Sequence, residues 1–310
     1  MYDIIGDIHG HASRLQQLLE RMGYERDAES WRHPDRQAIF VGDFIDRGPE
    51  QIETYRLVRA MIDRGAALAV MGNHEFNAVA VKTPHPEDPG ERLRPHTEKN
   101  RNQHAALLAQ VGEGSALQDE MIAWLKRLPL YLDLEELRVV HACWHDEALK
   151  ALAPLLDDHR CLQETARRPS ASKLTDAYDA AETLLKGLEI PLTAGECFLD
   201  KDRNLRQHIR IRWWEQGTGT YRTVAMLDDA TRETLSDQSV PEDVLPGYRD
   251  EKPGFVGHYW LRGTPEPMNH RVACLDYTVT EPARMGKLTA YRWAGEFKIK
   301  RDGFFGFDAV

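Results

Sequence analysis

The chain is poor in cysteine, has no long apolar run and carries no excess of positive charge. Four cysteines in 310 residues, at positions 143, 161, 197 and 274, show neither the density of a disulfide framework nor the short paired spacing of a structural zinc site. Reduced thiols in the cytoplasm are the expectation. No apolar stretch approaches the roughly 18 residues that span a bilayer. Met1-Tyr2-Asp3 runs directly into apolar sequence, so no signal peptide and no membrane contact are expected. The formal net charge of −10 argues against a general nucleic-acid binder, which needs a basic face to displace counterions from phosphates. Repeats, heptads and low-complexity segments are lacking too.

What is present is ample for a globular core, with 42% hydrophobic residues. Three short blocks stand out, each closing an apolar run: Gly6-Asp7-Ile8-His9-Gly10, Gly42-Asp43-Phe44-Ile45-Asp46-Arg47-Gly48 and Gly72-Asn73-His74-Glu75. The runs, Tyr2 to Ile5, Ala38 to Val41 and Ala67 to Met71, are short and bounded by turn residues, as buried strands of a parallel sheet are. Between them Leu15, Leu18, Leu19 and Met22, then Ile52, Tyr55, Val58 and Ile62, repeat with helical spacing. The pattern reads βαβαβ. In such a sheet ligands bind beyond the carboxyl ends of the strands, so Asp7, His9, Asp43, Asp46, Asn73 and His74 are expected on one rim. Glycines bounding each block let the backbone approach a metal or a phosphate closely. His141, after Leu137 to Val140, and His258, after Gly254 to Gly257, are two further strand-end imidazoles suited to divalent metal.

These blocks resemble the calcineurin-like metallophosphoesterases, in particular the branch of the phosphoprotein phosphatases and the bacterial diadenosine tetraphosphatases. Lys287 to Trp293 also resembles the closing strand of that branch. The resemblance implies an α/β fold, a four-layer αββα sandwich around the βαβαβ core. It implies two divalent metal ions, one held by Asp7, His9 and Asp43, the other by Asp43, Asn73, His141 and His258. A carboxylate shared between cations, an amide oxygen and imidazoles suit manganese best, with iron, zinc or nickel as alternatives. A hydroxide bridging the metals would attack phosphorus directly. His74 would protonate the leaving oxygen, Asp46 would fix its tautomer and Arg47 would grip the phosphate. Phosphate ester or anhydride bonds are the expected targets, with dinucleoside polyphosphates or other small phosphates favoured because Met71 rather than Arg precedes the third block. Phosphoprotein phosphatase is the runner-up. A catalytically silent module docking a phosphorylated partner is the alternative from another class. Oligomeric state is not legible.

One domain is expected, with insertions at about 77–110 and 146–253. In the first, prolines at 84, 86, 89 and 95 suggest a long loop and helix beside the site, a lid in outline, that also carries His85, His96 and His104. In the second, Ala177, Ala181, Leu184 and Leu188 mark a helix face. Lys201 to Arg222 is then locally basic, and alternation puts Ile209, Ile211 and Trp213 on one side of a strand, with His208, Arg210, Arg212 and Trp214 on the other. Arg210 and Arg212 are candidate contacts for a phosphate chain, a solvated ion-paired face being the plain alternative. Asp228 to Glu251 reads as an exposed connection. Trp213, Trp214, Trp260 and Trp293 are read as core in preference to base-stacking platforms. After His141, Ala142-Cys143-Trp144-His145 is expected to bring a thiol and an indole near the second metal, with His145 a loop residue.

Overall fold

A computed structural model describes residues 1–28, 30–88, 90–173, 175–193, 195–199, 205–241, 243–280 and 286–306. Tyr2–Ile5 pairs in parallel with Gln37–Phe40, and that strand in parallel with Ala67–Ala69. The helices Ala12–Arg21 and Gln51–Asp63 make the two crossovers. Lys287–Trp293 lies antiparallel on the other edge of the first strand, Tyr2 opposite Trp293 and Ile5 opposite Ala290, and Asp276–Tyr277 and Phe304–Gly306 pair with it in turn. A second sheet runs Val272–Cys274, Gly254–Val256, Arg138–Val140, Tyr131–Asp133, its first three strands parallel.

The two-residue period of these strands sorts their side chains into two cores. Ile4, Ile39, Val41 and Val70 of the first sheet meet Leu137, Val139, Phe255 and Ala273 of the second, with Tyr291 and Trp293 closing the layer. The alternate residues, among them Ile5, Ala38 and Phe40, and Val140, Val256 and Cys274, join the helical layers that contain Leu15, Leu18, Leu19, Val58, Leu152 and Leu184. Helices therefore cover the outer faces of a two-sheet sandwich, the four-layer αββα order. The turns that carry the candidate ligands leave their strands at the same end, because parallel strands share a direction.

Several segments differ from their sequence reading. The helix that opens at Asn73 continues to Lys82, so Asn77 is helical and the long loop begins only at Thr83. Glu98–Gln103 and Ala105–Val111 follow as two short helices hinged at His104. The helix Asp176–Lys186 buries Ala181 and Leu184, whereas Ala177 is half-buried and Leu188 lies beyond its end. The strand His208–Arg210 pairs antiparallel with Glu189–Pro191. Alternation holds through Ile209 and Ile211, both fully buried, and then a turn intervenes, in which Glu215 N–H donates to the Arg212 carbonyl. Both Trp213 and Trp214 are buried in consequence, so Trp214 does not share the arginine face. Nor is 228–251 simply exposed: Leu235, Val240 and Leu245 pack with Ile190, Ile209, Ile211 and Val224 into a satellite core. Lys201, Asp202, Arg203 and Asn204 of the basic stretch lie outside the described residues.

Candidate metal centre and active site

The rim of the sandwich is built from backbone that L-residues rarely adopt. His9, Asp43, Asp46, Arg47, His258 and Trp260 all have positive φ, and among the described residues only Arg160 and Thr278 share that state without being glycine. Such conformations each cost about 1–3 kcal/mol and persist where surrounding structure over-determines them. Here Glu75 does so. Its buried carboxylate accepts from Asp43 N–H at 2.8 Å, Phe44 N–H at 2.8 Å, Ile45 N–H at 3.3 Å and Gly72 N–H at 3.0 Å. Burial, then the Asp43 charge, push it up to about 8. Gln51 braces the other end of the same loop, accepting from Asp46 N–H at 2.7 Å and donating to the Gly48 carbonyl at 2.8 Å. A Cβ on Gly72 would strike the Asp43 carboxylate, and one on Gly257 the Asp7 carboxylate, so both positions need glycine to let backbone pass beside a ligand.

Around Asp43 the donor atoms gather in two groups, His9 with Asp43 and His74, and Asp43 with His141 and His258, the atoms of each lying within 4.8 Å of one another. Asn73 joins the second: its Oδ1 is 2.8 Å from His258 Nδ1 and 3.1 Å from His141 Nε2. Asp7 stands beside both, accepting from His258 N–H at 3.1 Å through one oxygen. His141 Nδ1 donates to the Val41 carbonyl at 2.7 Å, and His9 Nδ1 to the Ile45 carbonyl at 3.0 Å. Those bonds fix the Nε2 lone pairs inward, the arrangement that prepares an imidazole for a metal.

Whether a cation fits can be judged from what these atoms lack. His9 Nε2, His258 Nε2 and Asp7 Oδ1 are buried with no hydrogen-bond partner among the described residues. His141 Nε2 faces Asn73 Oδ1 and, at 3.4 Å, Asp43 Oδ1, so acceptors point at acceptors unless a proton or a cation lies between them. Charge repeats the point. Burial opposes a charged His141, yet Asp43 pulls it up to about 10, while Asp43 itself, despite burial, is held well below the carboxylate range by His141 and His74. Burial pushes His9 and His258 well down, toward the neutral form that ligates. A buried set of carboxylates, imidazoles and one amide with orphaned lone pairs fits divalent cations of the first transition row.

His74 differs from the other rim histidines. Its Nδ1 donates to Asp46 Oδ2 at 2.6 Å, and its Nε2 lies 3.3 Å from Arg47 Nη2 and 3.9 Å from Asp43 Oδ2. Arg47 stacks on Trp260, its guanidinium carbon 3.8 Å from the ring centroid. The indole holds a flat cation at the mouth of the site, one arm of its fork beside His74 Nε2 and its planar edge suited to meet a phosphate.

A model of the family described as calcineurin-like phosphoesterase matches residues 2–192. The chain belongs to the calcineurin-like phosphoesterase family. Its similarity to curated relatives is partial. It is 47% identical over 74 residues to the asymmetrical bis(5'-nucleosyl)-tetraphosphatase PrpE of Halalkalibacterium halodurans, covering 24% of this chain and 30% of that protein. To its counterpart in Oceanobacillus iheyensis it is 31% identical over 149 residues, 45% of this chain and 54% of that one. To the symmetrical bis(5'-nucleosyl)-tetraphosphatase of a Marinomonas species it is 29% identical over 162 residues, half of each chain. The chain thus spans between about a third and a half of these relatives. A cold-active protein tyrosine phosphatase matches 98% of this chain and 78% of its own with a TM-score of 0.51 at 14% identity. A protein serine/threonine phosphatase from Saccharomyces cerevisiae matches 100% and 80% with a TM-score of 0.50 at 14% identity. Both share the fold of this chain.

All the residues expected on the rim are brought together there: Asp7, His9, Asp43, Asp46, Arg47, Asn73, His74, His141 and His258. The two insertion arginines are not placed alike. Arg210 stands opposite Glu189 in register, 3.4 Å from its carboxylate, and after burial its charge is the chief influence lowering His258. Arg212 turns to Glu215 at 3.5 Å. The expected thiol and indole near the second metal do not line it. Cys143 is fully buried, and Trp144 packs edge-on against Tyr131 and under Arg138. Inward side chains of that strand end feed the helical core, which draws both away from the rim. His145 caps the helix Asp146–Leu152, accepting from Ala148 N–H at 3.2 Å. Trp213, Trp214 and Trp293 are core, and Trp260 alone of the four faces the site.

Sequence reasoning missed Glu75, Gln51 and Asp276, which accepts from Trp260 N–H at 2.8 Å and so positions the indole under Arg47. Glu75 was visible as the last residue of the third block. Asp276 left no local signal because it holds Trp260 backbone 16 residues away, and Gln51 sits only five residues from Asp46 but outside the glycine-bounded block.

Proposed function

We propose that the chain is a binuclear metal-dependent phosphoesterase that hydrolyses ester or anhydride bonds of small phosphates, dinucleoside polyphosphates being the favoured class. The observation that carries this is the pairing, across Asp43, of two buried donor groups with orphaned lone pairs and a histidine whose far nitrogen is tied to a carboxylate. Asp7, His9 and Asp43 would hold one cation and Asp43, Asn73, His141 and His258 the other, manganese being the best match to a set with two carboxylates, three imidazoles and an amide. Two such cations supply charge that polarises phosphoryl oxygens and makes water acidic enough to act as nucleophile near neutral pH. His74 reaches the leaving oxygen with Nε2, since Nδ1 is committed to Asp46. Arg47, steadied on Trp260, clamps a non-bridging oxygen. A site for docking alone has no use for a proton donor held in one tautomer, which favours turnover over a silent module.

The substrate class rests on the named activity of the partial relatives and on Arg210, whose charge reaches the His258 side of the site. Phosphate release from diadenosine tetraphosphate, an aryl phosphate and phosphopeptides, each with manganese, iron, nickel and zinc, tests both levels. Turnover of the dinucleotide well above the peptides is expected. No turnover above the Asp43→Asn background on any substrate with any metal would overturn the assignment of activity, and preference for phosphopeptides would overturn the substrate.

A further inference from the structure

Asp46 carries two histidines. His74 Nδ1 donates to its Oδ2 at 2.6 Å, and His104 Nδ1 donates to the same oxygen at 2.8 Å and lies 3.1 Å from Oδ1. Asp46 is fully buried and His104 is 3% exposed, although it comes from the proline-broken segment that reads as a peripheral loop. Its other nitrogen, Nε2, is buried with no partner among the described residues. The pair bond to Asp46 is therefore the one polar interaction described for this side chain, and it is aimed at the carboxylate behind the proton donor.

The surrounding chain is organised to hold that contact. His104 is the hinge at which Glu98–Gln103 passes into Ala105–Val111. On one side Gln103 Nε2 comes to 3.4 Å from His74 Nδ1, and Asn77 Nδ2 donates to Gln103 Oε1 at 3.4 Å. On the other, Gln110 Oε1 accepts from Gln51 N–H at 2.9 Å, and Gln51 in turn accepts from Asp46 N–H. The segment thus grips the Asp46 loop at two points, once through backbone and once through the carboxylate itself.

We propose that His104 is a positioning residue for the proton donor, orienting the Asp46 carboxylate so that it holds His74 by Nδ1–H while the proton carried on Nε2 is presented to the leaving oxygen. With a single donor the carboxylate can rotate about its terminal torsion, and the bond to His74 loses its fixed direction. With two it has one orientation. The first insertion then does more than shield the site, because it supplies the second anchor of the acid. This rests on His74 being the proton donor of the proposed phosphoesterase.

The test uses the manganese-loaded full chain with phenyl phosphate, a poor leaving group, and p-nitrophenyl phosphate, a good one. His104→Ala should lower kcat on phenyl phosphate by on the order of 10- to 100-fold, the usual effect of removing an orienting partner, and on p-nitrophenyl phosphate by much less, with KM and metal content unchanged. His104→Asn, which keeps a donor near the Nδ1 position, should recover much of the loss. In a His74→Asn background His104→Ala should change nothing further. A loss equal on both substrates, or one that adds in full to that of His74→Asn, would show a merely structural role and overturn the proposal. Should the wild type fail to turn over either ester, the phosphoesterase reading fails instead, and nuclear magnetic resonance of the zinc-loaded protein with labelled histidine still decides on His104. Downfield N–H protons of His74 and His104 are expected beside those of His9 and His141, and His104→Ala should remove its own and shift that of His74. If the His74 proton keeps its position in His104→Ala, His104 does not position it.

Discussion

The rim of the sandwich and the strand His208–Arg210 both present charged side chains, and they treat them oppositely. On the rim Asp7, His9, Asp43, Asp46 and His141 are at most 2% exposed, sit partly on left-handed backbone, and include buried atoms with no partner of their own. On the strand Arg206 and Arg210 share Glu189, Arg212 pairs with Glu215, and all three arginines are about a third exposed. The satellite core beneath that strand needs no strained residue to form. A fold tolerates strain and unmet polarity where a ligand will settle them. The strand's charges are paired with Glu189 and Glu215, although Arg210 Nε and Arg212 Nε make no hydrogen bond among the described residues. The rim's charge is left unfinished, with acceptor facing acceptor on strained backbone.

Replacing the shared carboxylate should have the largest effect. Asp43→Asn should abolish turnover and release more metal than Asp7→Asn, read by elemental analysis, since one residue serves both donor groups. Two metals per chain retained in Asp43→Asn would place the unfinished charge elsewhere. Next is His74→Asn, which should keep both metals and lose ~10²–10⁴-fold in kcat on poor leaving groups, with a smaller loss on an activated aryl ester. His74 stands within reach of Asp43, so metal content is the informative column: loss of an ion would make it a ligand.

Changes on the insertion should be milder and selective. Arg210→Ala should raise KM for a dinucleoside polyphosphate about ten- to a hundred-fold, corresponding to ~1.5–3 kcal/mol for a lost charge-assisted contact, with KM for a small aryl phosphate little changed. Arg212→Ala, already satisfied by Glu215, should do less to either. Equal responses from the two substrates would class Arg210 with the ordinary surface. The smallest effect belongs to the satellite core. Ile209→Val should lower unfolding stability by ~0.5–1.5 kcal/mol in denaturant titration and leave aryl phosphate turnover unchanged, and a fall in kcat would show that this core steers the rim.

The sequence by itself determined the rim. Three glycine-bounded blocks after apolar runs, with His141 and His258 closing two more, place candidate ligands at strand ends because parallel strands deliver their carboxyl termini to one edge. Those signals are local, and folding only had to keep strand order and direction. The tertiary structure decided what no local pattern encodes. Glu75 acts on Asp43 backbone 32 residues away and Asp276 on Trp260 backbone 16 away, while Gln51, five residues from Asp46, meets it only because the turn folds back on its helix. His104, carried in a segment broken by prolines, reaches Asp46 because two short helices fold back across the loop. Trp214 left the face that strand alternation assigned it because a turn follows Arg212, and Trp144, expected near the second metal, packs against Tyr131 and Arg138 instead. Periodicity reports which side of an element is apolar. Which distant group an unmet donor or a strained turn will meet is settled only when the chain is closed around it.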